Sequence, residues 1–432
     1  MPHTLPARRD AALGAGTPLF YAHPLHLVRG DGVYLYDPQG RRYTDMYNNV
    51  PCVGHANPAV VAAMTKAQST LNVHSRYLHE DIVTFCERLT GLHKTAKIES
   101  VIVSCSGTEA IEVALRMARF ATGKQGIICS DGTYHGNSEL VSKLTRLSLN
   151  QDSTSEVRAV PFPQTYRPLL EGASEAELCE AYLARLQAAI DAHNRAGHGF
   201  AAFIACSILA NEGLPDIPAG FMEKASAMVH AAGGLVISDE VQAGYARTGQ
   251  WWGYDVSGLK PDIVVTGKPM GNGLPLAATA ASRDLVETFR AKTRYFNTFA
   301  SSPLQAAVGL AVIDYIEDNN LLQSVAAVGA HLKSGLQSRA PAWSAIGDVR
   351  GTGLFIGVEL IKDDGHKTPD PDLAIDVINR LKDKGFLTSN AGIFRNTVKI
   401  RPPLVFKQHD ADAFLAAWDE MVQERACETG PA

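Results

Sequence analysis

Between about residues 71 and 281, short β-branched apolar runs alternate with stretches of helical spacing, and few folds accept that alternation. Strands separated by helices have to run mostly parallel, and a parallel sheet buries both faces. The expected class is therefore α/β: a large domain with a mostly parallel sheet covered by helices. The strand candidates are VIVSC at 101–105, GIICSD at 126–131, AAFIAC at 201–206, GLVISDE at 234–240 and DIVVTGK at 262–268. EAIEVALRMARF at 109–120, ELCEAYLARLQAAIDAHN at 177–194 and GFMEKASAMVHAAG at 220–233 carry helical periodicity. The polar, proline-bearing stretch 144–168 reads as a surface excursion.

Outside that block the pattern changes. GDGVYLYDPQGRRYTDMYNNV at 30–50 reads as a hairpin turning at DPQG. A long helical stretch at 304–338 leads to VRGTGLFIGVEL at 349–360 and VKIRPPLVF at 398–406, which suits a smaller α+β domain. The expected division is an N-terminal segment 1–65 packing with the small domain, a large domain 66–315, and a C-terminal small domain 316–432.

Composition excludes several partners. Lys+Arg 40 against Asp+Glu 45 leaves a net charge of −5, too acidic for broad binding to nucleic acid or an anionic membrane. The longest apolar run, around 200–210, is about half of the ~20 residues a membrane span requires. Seven scattered cysteines without a C-x-x-C pair argue against a disulfide framework or a zinc ribbon, and for a reducing, cytoplasmic setting. Two arginines near the N-terminus have no apolar segment behind them, so no export signal is expected.

The chemistry-bearing motifs follow the strand candidates, where ligands collect in open α/β sheets. SGTEA at 106–110 sits between a strand and a helix. Gly107 allows close backbone approach, and the helix start with the Ser106 and Thr108 hydroxyls can cradle a phosphate. The same residues also fit a plain capping box, Ser106-x-x-Glu109. In TYHG at 133–136, Tyr134 could stack on a flat ring, or Tyr134 and His135 could be ordinary loop packing. The strand at 234–240 delivers Asp239 and Glu240, which could cap a helix, hold a protonated ring nitrogen or, least favoured, bind metal, since no His or Cys follows at ligand spacing. Lys268 ends the next strand among Val, Thr, Gly, Pro and Met, where partial desolvation would lower its pKa and suit capture of an aldehyde. Anion cradle, stacking aromatic, carboxylate and amine together are what pyridoxal 5'-phosphate needs. No metal is expected.

SGTEAIEVALRMAR, YHGN, DEVQAGYARTG, GKPMGNGLPLAA, FNTFASSPLQAA and RPPL, together with the 30–50 segment, make the sequence resemble the class III aminotransferases almost end to end. These belong to fold type I and include ornithine, 4-aminobutyrate and ω-amino-acid transaminases. The resemblance implies that Lys268 holds pyridoxal 5'-phosphate covalently and moves the substrate proton. It implies that Asp239 meets the pyridine nitrogen, Val241 and Tyr134 (with His135 beside it) flank the ring, Gln242 approaches the phenolic oxygen, and Ser106, Gly107 and Thr108 bind the phosphate. Thr298 would reach the phosphate bound by a neighbouring subunit, which implies a homodimer with shared active sites and leaves pairing into tetramers open. The implied reaction moves an amino group from a primary amine or amino acid to a keto acid such as pyruvate or 2-oxoglutarate.

The sequence also departs from that family. Cys206 and Ser207 stand where an acidic residue and proline are frequent, with Asn211 and Glu212 following. Lys399 occupies the position of the arginine that clamps a substrate carboxylate, and Arg401 directly precedes the two prolines. VKIRPPLVF, FYAHPLHLVRGDGVYLYD and YNNVPCVGHANP look like the branch holding alanine–glyoxylate-type proteins and phosphoamine phospho-lyases. Those lyases use the same cofactor to eliminate phosphate and ammonia. A third alternative is a relative that binds a phosphorylated ligand without turnover. Arg76, Arg395, Lys399 and Arg401 are candidates for a substrate anion pocket, and Asn48, Asn49, His74 and Tyr77 for the substrate entrance.

Overall fold

The computed structural model describes residues 4–145 and 155–429. Its centre is a seven-stranded sheet in the spatial order Ser100–Ser104, Ala277–Ala281, Ile263–Thr266, Leu235–Asp239, Phe200–Cys206, Gly126–Ser130, Val157–Val160. Ala277–Ala281 runs antiparallel to both of its neighbours; the remaining direct pairings are parallel. Five of these strands lie within a residue or two of the runs expected from the sequence. Two were not expected. Val157–Val160 lies inside the supposed surface excursion as an edge strand, while 146–154 of that stretch lie outside the described residues. Ala277–Ala281 reads AATAA, poor in β-branched residues. Its small side chains let the helix Gly107–Thr122 approach closely enough for Thr279 Oγ1 to donate to the carbonyl of Ala110 at 2.7 Å.

That helix shows how sequence sets position. Ser106 caps its start, Gly123 at φ 69° ends it, and Ala110, Ile111, Val113, Ala114, Leu115, Met117 and Ala118 form the buried face. Its N-terminus therefore stays at the carboxyl edge of the sheet, where the parallel strands also discharge their following loops.

Two four-stranded sheets complete the molecule. Ile346–Thr352, Phe355–Leu360, Thr397–Ile400 and Ser389–Ala391 pair antiparallel. The expected hairpin is present as Tyr34–Tyr36 against Arg42–Asp45, its turn closed by Asp37 Oδ1 accepting from the backbone of Gln39 and Arg41 at 3.0 and 2.9 Å. Phe386–Leu387 joins Arg42–Asp45 in parallel, so chain segments far apart in sequence share one sheet. The helical stretch expected at 304–338 is two helices, Pro303–Asp318 and Leu321–Arg339; Asn320, at φ 49°, breaks it. Residues 65 and 315 both lie within helices, Pro58–Thr70 and Pro303–Asp318.

Candidate active site

At the first strand–helix junction, Ser106 is extended (φ −144°, ψ 154°) and its Oγ accepts from Glu109 N–H at 3.2 Å. Glu109 turns back to accept from Cys105 N–H at 2.7 Å. The cap reading of SGTEA therefore holds, and it leaves the N–H groups of Gly107 and Thr108 without a hydrogen-bond partner among the described residues. Two free donors at the positive end of a 16-residue helix are suited to an anion.

Neighbouring side chains pack tightly around this turn. A Cβ on Gly107 would lie 3.2 Å from Val241 Cγ2. Gly136 has φ +146°, and a Cβ there would lie 2.5 Å from Thr108 Oγ1. Gly136→Ala is therefore expected to cost about 1–3 kcal/mol through backbone strain and the displaced threonine. Thermal melting together with cofactor content of the purified variant checks this, both falling relative to the parent.

Strand alternation divides the two adjacent carboxylates. Glu240 is fully buried and accepts from Gly253 N–H (2.8 Å), Tyr254 N–H (2.9 Å) and Ser238 Oγ (2.9 Å), which anchors the start of the short helix Gly253–Ser257. Burial pushes its carboxyl up to about 7. Asp239 faces the opposite way, toward the cavity. Its Oδ1 accepts from Val241 N–H at 3.0 Å and its Oδ2 lies 2.7 Å from His135 Nδ1, while His135 Nε2 lies 3.2 Å from Thr133 Oγ1. An ionised carboxylate only accepts, so Nδ1 carries the proton and Nε2 accepts from the Thr133 hydroxyl when the ring is neutral.

Cys206 joins this group: ligand atoms of His135, Cys206 and Asp239 lie within 4.8 Å of one another. Linear spacing could not reveal that proximity, because the three residues come from three separate strand ends. Burial pushes the Cys206 thiol well above its ordinary range, which keeps it protonated and a poor metal ligand. The His–Asp hydrogen bond accounts for the arrangement. Glu212 is buried nearby, accepts from Ser130 Oγ at 2.7 Å and from Asn211 N–H at 3.1 Å, and does not line the cavity.

Lys268 follows the strand Ile263–Thr266, and its side chain is exposed while Thr266, Gly267, Pro269, Met270 and Gly271 are all buried. The exposure is into a walled cavity rather than onto an open face. Desolvation by those walls is the main cause lowering the amine below the ordinary lysine value; Asp239 pulls it back up and Arg401 pushes it further down.

The cavity, about 120 Å³, is lined by Gly107, Thr108, Tyr134, His135, Gly136, Asp239, Val241, Gln242 and Lys268. Pyridoxal 5'-phosphate passes the test of fit on these residues. Free helix-terminal N–H groups suit its phosphate, the Asp239 carboxylate its ring nitrogen, the exposed Tyr134 and the Val241 side chain its ring, and Lys268 its aldehyde.

Other candidates stand elsewhere. The Ser106 hydroxyl is engaged as a cap and Ser106 does not line the cavity. Asn49 is buried, donating to the carbonyls of Val241 (3.3 Å) and Gln242 (3.2 Å) and accepting from Arg247 Nε (3.1 Å), so it secures the turn from behind. Asn48 is exposed and its amide donates to Asp45. Arg76 stacks over Phe296 at 4.1 Å, and His74 packs against both Phe296 and Tyr77. Thr298 is exposed beside them in sequence, outside the cavity lining. Arg395 is exposed on a loop at φ 58°. Lys399 and Arg401 are buried against Gln242. The sequence reading missed Thr133 as the support of His135; its only signal was the two-residue spacing within TYHG.

A family model described as aminotransferase class-III matches residues 20–422. The chain is 34% identical to an alanine–glyoxylate aminotransferase 2-like protein of Drosophila melanogaster, over 96% of this chain and 87% of that one. Among solved structures it is similar to an Arthrobacter phospholyase in complex with phosphoethanolamine, with TM-score 0.93 and 40% identity, covering 97% of this chain and 99% of that one. It is also similar to the ω-transaminase of Pseudomonas jessenii in complex with PMP, with TM-score 0.86 and 26% identity, covering 100% and 97%.

Proposed function

The chain belongs to the class III aminotransferases, pyridoxal-phosphate enzymes, and from that membership we propose that it moves an amino group from a primary amine or amino acid to a keto acid such as pyruvate or 2-oxoglutarate. One observation carries the reading: an exposed lysine amine shares a cavity with a free helix N-terminus and with a carboxylate braced by histidine. When bound, pyridoxal 5'-phosphate supplies an aldehyde that captures amines and a ring that accepts the electron pair released at the substrate carbon.

The chain's residues do the rest. Gly107 and Thr108 N–H hold the phosphate. Asp239, aimed by His135, would hold a proton on the ring nitrogen through a charge-assisted hydrogen bond. Tyr134 and Val241 fix the ring between them. Lys268, its amine lowered chiefly by desolvation, would take the proton from the substrate carbon through Nζ.

The reading includes a homodimer with Thr298 serving the neighbouring site. Exposed apolar Tyr77 (62%), Leu78 (101%) and Phe299 (76%), on two segments joined by the His74–Phe296 ring contact, support it. A cytoplasmic setting is part of the same reading. Its support is seven free cysteines, and among the described residues no helix is long and apolar enough to cross a membrane.

A second reading, phospho-lyase, has its own support. Lys399 and Arg401 are buried and held by Gln242, Ala210 and Tyr47, an arrangement unlike the exposed cation a carboxylate clamp of amino-acid transaminases requires. The likeness to the Arthrobacter phospholyase points the same way. Purified holoenzyme offered an amine panel with pyruvate or 2-oxoglutarate is expected to consume the keto acid and form its amino acid. Release of inorganic phosphate from phosphoethanolamine with no keto acid present, and no transamination, would replace the first reading by the second.

A further inference from the structure

Gln242 lines the cavity and reaches away from it to two buried positive side chains. Its Oε1 accepts from Lys399 Nζ at 3.1 Å and from Arg401 Nη1. Its Nε2 donates to Asn211 Oδ1 at 3.2 Å. A guanidinium has no acceptor, so the amide atom facing Arg401 is the oxygen, and the amide has one orientation. One Nε2 hydrogen is then left for the cavity. The protein itself engages both cations further: Lys399 also donates to the carbonyl of Ala210 at 3.1 Å, and Arg401 Nε and Nη2 donate to the carbonyl of Tyr47 at 2.9 and 2.8 Å.

We propose that Lys399 and Arg401 are positioning residues: they lock Gln242 with an N–H donor facing the cofactor, and that donor together with the Arg401 charge lowers the pH at which the cofactor bound at Lys268 loses its proton. The inference rests on the pyridoxal-phosphate reading of the same cavity.

The physical basis is an ordered amide backed by a buried guanidinium. Lys399 and Arg401 are 3% and 5% exposed, and every hydrogen-bond acceptor they use is neutral. Neither forms an ion pair among the described residues. Positive charge behind an amide polarises it and strengthens its N–H as a donor. Charge shielded from water also acts at longer range than charge on a surface. Around Lys268, Arg401 opposes protonation while Asp239 and Cys206 favour it; burial first, then Arg401 and Lys268, push the Lys399 amine well below its ordinary value, so the fixed charge of the pair is the Arg401 guanidinium. Around the two cations, Asp45, Tyr47 and Glu212 attract and Arg247 repels.

The test follows the visible absorbance of the holoenzyme across a pH series. Arg401→Gln and Lys399→Met are expected to raise the midpoint of the spectral change by about one pH unit, since the first removes a charge that opposes protonation and both release the Gln242 amide from its orientation. Gln242→Glu keeps an acceptor for both cations but replaces the N–H donor with a charged oxygen, and should raise it as well. Lys399→Arg should restore the parent midpoint. Unchanged midpoints in Lys399→Met and Gln242→Glu, with the band intact, would overturn the proposal even if activity fell. Those two variants decide the matter if Arg401→Gln does not fold. Absence of a visible band in the parent protein would instead sink the cofactor reading itself.

Discussion

Lys268→Ala is expected to abolish steady-state turnover, by at least about 10⁴-fold, because on the proposed assignment the variant loses both the amine that captures the cofactor and the base that moves the proton. The fold should survive. Lys268 is exposed within the cavity and makes no hydrogen bond or ion pair among the described residues. Its amine is lowered in the folded protein, chiefly by desolvation. Between the native and the ordinary lysine value the unfolded chain therefore binds more protons than the folded one, so stability rises with pH across that window. At neutral pH the charged amine opposes folding of the cofactor-free protein, and removing it should leave the melting temperature equal or higher. Borohydride reduction separates this from mere loss of binding: it should fix the cofactor to the parent chain and leave the variant unlabelled. Multi-turnover activity in Lys268→Ala would contradict the assignment.

The parts of the molecule legible in the sequence are those in which local pattern and final position coincide. Parallel strands are buried on both faces, so their apolar runs announced them, and the residues just beyond their ends, Gly107, Tyr134, Asp239 and Lys268, converge because parallel strands share one carboxyl edge. Ala277–Ala281 escaped notice because helix packing, rather than β-propensity, selected alanines there. Adjacent Asp239 and Glu240 could not be distinguished in linear form; only the pleat sends one to the cavity and the other to the Gly253–Ser257 helix. Lys399 and Arg401 read as a substrate anion site because charge at a family position suggests it. Burial turned them onto Gln242, and burial depends on contacts with Tyr47 and Ala210 more than 180 residues away in sequence.

Asp239→Asn should reduce turnover by about 10²–10⁴-fold with cofactor content and melting temperature near the parent values, since what it removes is charge rather than shape. The geometry can absorb the exchange. Oδ1 still accepts from Val241 N–H, and the new amide nitrogen faces His135 Nδ1, which becomes an acceptor if the imidazole adopts its other tautomer. Nε2 then carries the proton, and Thr133 Oγ1, 3.2 Å away, can accept it as readily as it donates in the parent, because a hydroxyl does both. The site therefore stays assembled, but a neutral amide no longer favours a proton on the ring nitrogen, and the electron pair released at the substrate carbon loses its most stabilised destination. Comparison of kcat, bound cofactor and Tm in one preparation separates the two effects. A variant that keeps its cofactor and more than about a tenth of the parent rate would show that the Asp239 charge is not what drives the chemistry, a far smaller loss than an electrostatic role of this kind predicts.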